Sequence, residues 1–179
     1  MKKKLPAIAI AAIIGVASVN AADMSYGGGM ATYDGYSGYN LGFGVDWKWD
    51  IMDDAVKKGG AFVDLGIGVE YFNVDIPKST VDNSNGVSAY ITGGIGYNIE
   101  ELTGMPLDIR VKGGYEIGAI SDSLSYSGIR AGADMTYHFN ENHGLKVDYT
   151  VTSLTQSISG APSTDLTKTT ASIFYVYSK

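Results

Sequence analysis

The 179-residue chain contains no cysteine. An exported domain of this size without disulfides must draw its stability from elsewhere, and closing a sheet inside a bilayer is one way. Four prolines stand beside 24 glycines and 13 tyrosines, a composition of strands and turns rather than of a helical bundle. Basic charge is short: 13 Lys+Arg against 19 Asp+Glu give a net charge of -6. That balance argues against nucleic acid, whose phosphates need a basic face. Beyond the first 19 residues no apolar run approaches the roughly 20 residues of a spanning helix. If the chain crosses a membrane, it must cross as strands.

The N-terminus indicates the compartment. Met1-Lys2-Lys3-Lys4 is a cationic start, and Leu5 to Val19 is an apolar run broken only by Pro6, Gly15 and Ser18. Val19-Asn20-Ala21 then offers the small or apolar residues a signal peptidase reads, which predicts cleavage after Ala21. A retained anchor would need a longer run. Residues 1–21 are therefore expected to be a signal peptide and 22–179 one outer-membrane domain. Removing the three lysines of the leader leaves a mature net charge of about −9.

Periodicity carries the fold. From Tyr39 to Trp49 the odd positions read Tyr, Leu, Phe, Val, Trp, Trp, and the even positions Asn, Gly, Gly, Asp, Lys. Such strict alternation marks a strand with one apolar face. Ala61–Phe72 repeats it, with Phe62 and Phe72 on the polar side at its ends. Val87–Asn98, Leu107–Ala119, Ser127–Phe139 and Leu145–Thr152 follow, then Thr167–Tyr177, whose Phe174 and Val176 lie on the polar side. Single-chain bacterial barrels have an even number of strands, and Met24–Tyr33 is the natural eighth. Asp34-Gly35 between two tyrosines would join it to the next strand as a hairpin. The prediction is an all-β, eight-stranded, antiparallel up-and-down transmembrane barrel.

With both termini periplasmic, the two longest connectors, Asn73–Gly86 and Ser153–Leu166, fall outside, where long loops belong. Trp47, Trp49, Tyr97, Tyr137, Phe139, Tyr175 and Tyr177 then share the periplasmic level of the apolar face as an interfacial girdle. Tyr39, Tyr71 and Tyr115 would form a sparser upper one. A soluble calyx of lipocalin type would instead put the tryptophans in the cavity and the charges outside.

The face opposite lipid carries seven acids and six bases on these strands. Eight strands leave room inside for little but side chains, so these charges are expected to pair and fill the lumen. A five-residue loop centred on Ser123 would set Glu116 opposite Arg130, Lys112 opposite Asp134 and Asp108 opposite His138, an interior charge ladder. Inward Gly42-x-Gly44, Gly66-x-Gly68 and Gly94-x-Gly96 complete no nucleotide fingerprint and are expected to make room for long charged side chains. By the same inside–outside assignment, Val111→Arg should cost more than Gly114→Ser. His138 and His143 have no nearby serine or cysteine partner; neither catalysis, a metal nor a cofactor is expected.

The last strand carries a further signal. Thr170, Ser172, Tyr175 and Tyr177 resemble the C-terminal signature read by the barrel-assembly machinery, with Ser172 where glycine is usual and Ser178-Lys179 running past the last aromatic. With eight strands, the chain resembles the small OmpA/OmpX-like outer-membrane barrels. That resemblance implies insertion by the assembly machinery and a role in envelope integrity or surface contact. The peptidoglycan-binding domain of some relatives is not expected. The partners anticipated are outer-membrane lipid and a surface ligand at loops 73–86 and 153–166, for a monomer. A passive pore and a lipid-modifying enzyme are the competing readings, separable by conductance and by lipid turnover.

Overall fold

A computed structural model describes residues 22–51, 60–74, 84–120, 124–158 and 164–179. The expected signal peptide lies outside the described residues. Eight antiparallel strands run in chain order: β1 (Ala22–Tyr33), β2 (Tyr36–Asp50), β3 (Gly60–Val74), β4 (Ser84–Asn98), β5 (Leu107–Ile120), β6 (Leu124–Asn140), β7 (His143–Ile158) and β8 (Thr164–Ser178). They form a closed barrel in which β1 pairs with both β2 and β8. Closure leaves no unpaired edge, the condition a sheet must meet to sit in lipid.

Register sets the shape. Met24 faces Val45, and the row continues through Ile67, Ile91, Tyr115, Ile129, Ser153 and Thr167. It returns to β1 at Asp34, whose N–H donates to the Thr167 carbonyl at 3.0 Å. The row thus climbs ten residues in one circuit, which for eight strands requires a tilt of roughly 40°. A 15-residue strand such as β3 then stands roughly 35–40 Å tall, more than the ~25 Å of an apolar band. The strands must overshoot it.

We call the end where β1 begins and β8 finishes the base, and the other end the crown. At the crown, Asp34 (φ 48°) and Gly35 (φ 88°) make the two-residue turn between Tyr33 and Tyr36. Both central residues have positive φ, the type I′ signature that Asp-Gly favours. At the base, the β4–β5 connector contains a helical turn, α1 (Glu100–Thr103), which sequence periodicity did not predict. Gly104 ends it in the left-handed region at φ 72°.

Two expectations are corrected. Strands reach Val74, Ser84, Ile158 and Thr164, so most of the predicted loop 153–166 and the flanks of 73–86 are sheet. Ser, Thr and Asn on an outward face above lipid read as loop in sequence, but here they continue the ladders. The β5–β6 register also differs: Ile120 pairs with Leu124, setting Arg110 opposite Asp134 and Gly114 opposite Arg130. The turn is two residues tighter than a hairpin centred on five residues.

Candidate functional site

Alternation sorts the side chains as the strand pleat dictates. Outward go Leu41, Ile91, Ile95, Val111, Ile117, Ile129, Val147 and Ile173, all exposed. A water-soluble protein does not display such a continuous apolar belt. Trp49, Tyr97, Tyr137 and Phe139 lie outward at the base, with Trp47, Tyr175 and Tyr177 partly covered beside them. Tyr137 meets Phe139 edge-on at 5.7 Å, and Tyr175 lies tilted against Tyr26 at 5.2 Å. His143 sits between Tyr175 and Tyr177 and hydrogen-bonds the Tyr175 hydroxyl. Thr170 and Ser172 point inward instead, to Thr150 at 2.9 Å and Asn40 at 2.9 Å.

The lumen is filled in three tiers. At the base, Lys48 bridges Asp23 at 2.7 Å and Asp108 at 2.9 Å. Asp108 also meets His138 at 3.0 Å and accepts from Asn98 at 2.7 Å. In the middle, Arg110 is the hub. It reaches Asp134 at 2.6 Å, Asp64 at 3.0 Å and Asp46 at 3.1 Å. Lys112 joins Asp134, at 3.0 Å, to Asp148, and Lys146 holds Asp46 at 3.1 Å. Towards the crown, Lys168 spans Glu116 at 2.6 Å and Glu70 at 2.7 Å, and Arg130 reaches Glu116 at 2.8 Å. The Arg130 guanidinium lies 4.2 Å above the Tyr90 ring.

All six residues of the sequence-derived ladder, Asp108, Lys112, Glu116, Arg130, Asp134 and His138, point into the lumen. The three anticipated pairs are in contact although none is directly opposed, because long side chains span the diagonal of a two-residue offset. The arrangement is a web across the barrel, joining β1, β2, β3, β5, β6, β7 and β8, rather than a ladder along one hairpin.

Above the web lies a layer the charge pattern did not show. Tyr33, Phe72, Val74, Tyr126 and Leu154 form a buried cluster with Leu166 packed against it. Tyr33 and Phe72 stack at 4.9 Å, and the Tyr33 hydroxyl donates to that of Tyr126 at 3.3 Å. Lys168 supports the cluster from below, 5.1 Å from the Phe72 ring. The signal was in the parity: Phe72, Tyr126 and Leu154 fall on even positions of their strands, the lumen face.

Several inward glycines make room for rings, which in part corrects the expectation that they accommodate charges. Gly86 faces Phe72, Gly96 faces Phe62, Gly68 faces Tyr90 and Gly118 faces Tyr126. A Cβ on any of the four would run into the ring of its partner. Only Gly66 and Gly94 lie against carboxylates, those of Asp46 and Asp64.

Space inside follows from this filling. Beneath Arg110 a cavity of about 10 Å³ remains, about the size of one water. At the base a vestibule of about 860 Å³ opens, lined among others by Asp23, Lys48, Asn98, Glu100, Asp108 and His138. Among the described residues the lumen opens at the base and is stoppered at the crown. No group of three or more His, Cys, Asp or Glu side chains suited to a metal occurs among the described residues.

The two rims differ in chemistry. Above the last large apolar residue, β1, β2, β3 and β4 turn Thr32, Ser37, Asn73 and Asn85 outward. On β5 to β8 the same step is Ala119, Ser127, Ser153 and Thr169. Ser125, Thr155 and Thr167 continue it upward, and Asp165, which accepts from Thr155 at 3.1 Å, is the one outward charge among them. Lys179 at the base apart, every Lys and Arg among the described residues lies on the lumen face of its strand.

The chain is similar in structure to the crystal structure of Ail, the attachment invasion locus protein of Yersinia pestis. The TM-score is 0.52 at 12% identity, over 89% of this chain and 99% of that one. Ail of Yersinia pestis in complex with the heparin analogue sucrose octasulfate aligns with TM-score 0.52 and 11% identity, over 90% of this chain and all of that one (100%). No family model and no curated protein matches the sequence. At such identities the likeness is one of fold: the chain has the architecture of the small eight-stranded outer-membrane barrels.

Proposed function

We propose that the chain is an integral outer-membrane protein, both termini periplasmic, that works as a sealed structural and interaction barrel and not as a pore or an enzyme. The observation that carries this reading is the stopper of Tyr33, Phe72, Val74, Tyr126 and Leu154 over a paired charge web. Together these side chains fill the lumen between base and crown. With transport closed off, the surfaces left to act are the outward crown and the base vestibule. Insertion would use the assembly machinery through Thr170, Ser172, Tyr175 and Tyr177, with the girdle fixing depth.

The name and bound ligand of the Ail structures suggest surface contact, and the crown is where this chain would make it. Among the described residues its outward positions carry hydroxyls, amides and Asp165, whereas polyanions are held by surface Lys and Arg. The test is compartment and fold together. Unboiled protein in mild SDS should migrate differently from boiled protein and should sediment with outer membrane. Recovery as a soluble periplasmic protein contradicts the reading, as does lipid A or phospholipid turnover by the purified chain.

A further inference from the structure

The crown rim is continuous with the apolar belt, and none of its described outward residues is a Lys or Arg. In register, Thr32 adjoins both Ser37 and Thr169, Ser127 adjoins Thr155, and Ser153 adjoins Thr167. Hydroxyls therefore stand side by side on four successive seams, between β6 and β7, β7 and β8, β8 and β1, and β1 and β2. Ser37, Ser153, Thr155 and Thr167 are exposed. The rows around them offer hydroxyl and amide groups, each able to donate and accept, and one carboxylate, Asp165, which accepts from Thr155.

Height fixes what meets this surface. The step from Ile129 to Ser127, or from Val151 to Ser153, is one pleat, so the hydroxyls lie at the level where acyl chains give way to headgroups. A bilayer whose headgroups present phosphates is ordinarily met there by Lys or Arg, the groups that pair with phosphate. Here every described Lys and Arg but Lys179 serves the lumen web. At the base the corresponding level is aromatic. The barrel thus presents different chemistry to its two leaflets, with Ser and Thr hydroxyls on one side and aromatic rings on the other.

We infer that the crown rim is a docking surface for the uncharged sugar headgroups of glycolipids, held by hydrogen bonds to the Ser and Thr rows, and that it does not select phosphate headgroups. The inference rests on the membrane-embedded reading above. It commits to lipid packed around the barrel, because the rows adjoin the belt directly and face sideways rather than up into solvent.

The experiment reconstitutes the full mature chain in phosphatidylcholine vesicles containing equal fractions of digalactosyldiacylglycerol and phosphatidylglycerol. Lipid retained on the extracted protein is counted by mass spectrometry. Digalactosyldiacylglycerol should be enriched over phosphatidylglycerol by about threefold, near the worth of one net hydrogen bond. The triple variant Ser127→Ala, Thr155→Ala, Thr167→Ala should lose that enrichment while keeping its heat-modifiable migration. Ser127→Lys with Thr155→Lys should reverse it towards phosphatidylglycerol. Equal or greater retention of phosphatidylglycerol by the native chain overturns the inference, and so does glycolipid enrichment that survives the triple variant. Failure to insert into either lipid overturns the membrane reading itself, a result distinguishable from loss of preference in a chain that inserts.

Discussion

At the scale of single residues, glycine gives the clearest contrast. Gly86 and Gly96 each lie beneath a buried ring, whereas Gly93 faces outward and an added Cβ there meets nothing nearer than 3.8 Å. Gly86→Val and Gly96→Val should each destabilise the barrel by about 1–3 kcal/mol, the usual cost of overpacking. Gly93→Val should change stability by less than about 0.5 kcal/mol, as surface changes do. Urea titrations of folding into liposomes measure all three. Val111, 62% exposed on the belt, should lose about 2–4 kcal/mol as arginine. The companion expectation that Gly114→Ser is mild does not survive the structure. A Cβ at Gly114 would strike the Ile91 carbonyl oxygen and approach Thr92 Cα to 2.8 Å, and backbone cannot swing aside. Gly114→Ser belongs with the costly changes, although it faces the lumen.

At the scale of strands, alternation was legible because side-chain period is two and one face meets lipid. That same period explains the β5–β6 error. A pattern of period two fixes which face a residue takes but is unchanged by an even slip, so two-residue alternatives rest on the turn alone. The Ser-rich segment from Ser121 to Ser125 offers no Gly or Asn to mark its tip. Strand β1, poor in pattern but followed by Asp34-Gly35, was readable from its turn. The web alters what a paired substitution can do. Asp134→Ala strips a partner from Arg110 and from Lys112 and should cost on the order of 3 kcal/mol. Lys112→Met with Asp134→Leu should recover only part of that loss, because Asp148 then loses Lys112 as well. A full recovery in liposome refolding would mean that the pair acts alone, as a simple ladder implies.

At the scale of the whole molecule, sequence showed an outside and an inside but not how the inside is closed. Charges advertise themselves by type, and their near-balance indicated pairing. The stopper is built from residues at the polar-face ends of different strands, among them Tyr33, Phe72, Tyr126 and Leu154, which meet only once the barrel closes. No segment of the chain contains it, so no local pattern could reveal it. The rims were half legible: the aromatic base was visible as a level row, while the hydroxyl crown passed for loop.

The sealed barrel is the central claim, and conductance tests it most directly. Folded chain, verified by its heat-modifiable migration, is added to a planar bilayer, and current is recorded under steady potential. The native barrel should insert without steady single-channel current, whereas Tyr126→Gly with Phe72→Gly should open brief, small conductances by thinning the stopper. A stable, ohmic current from the native chain would contradict the account.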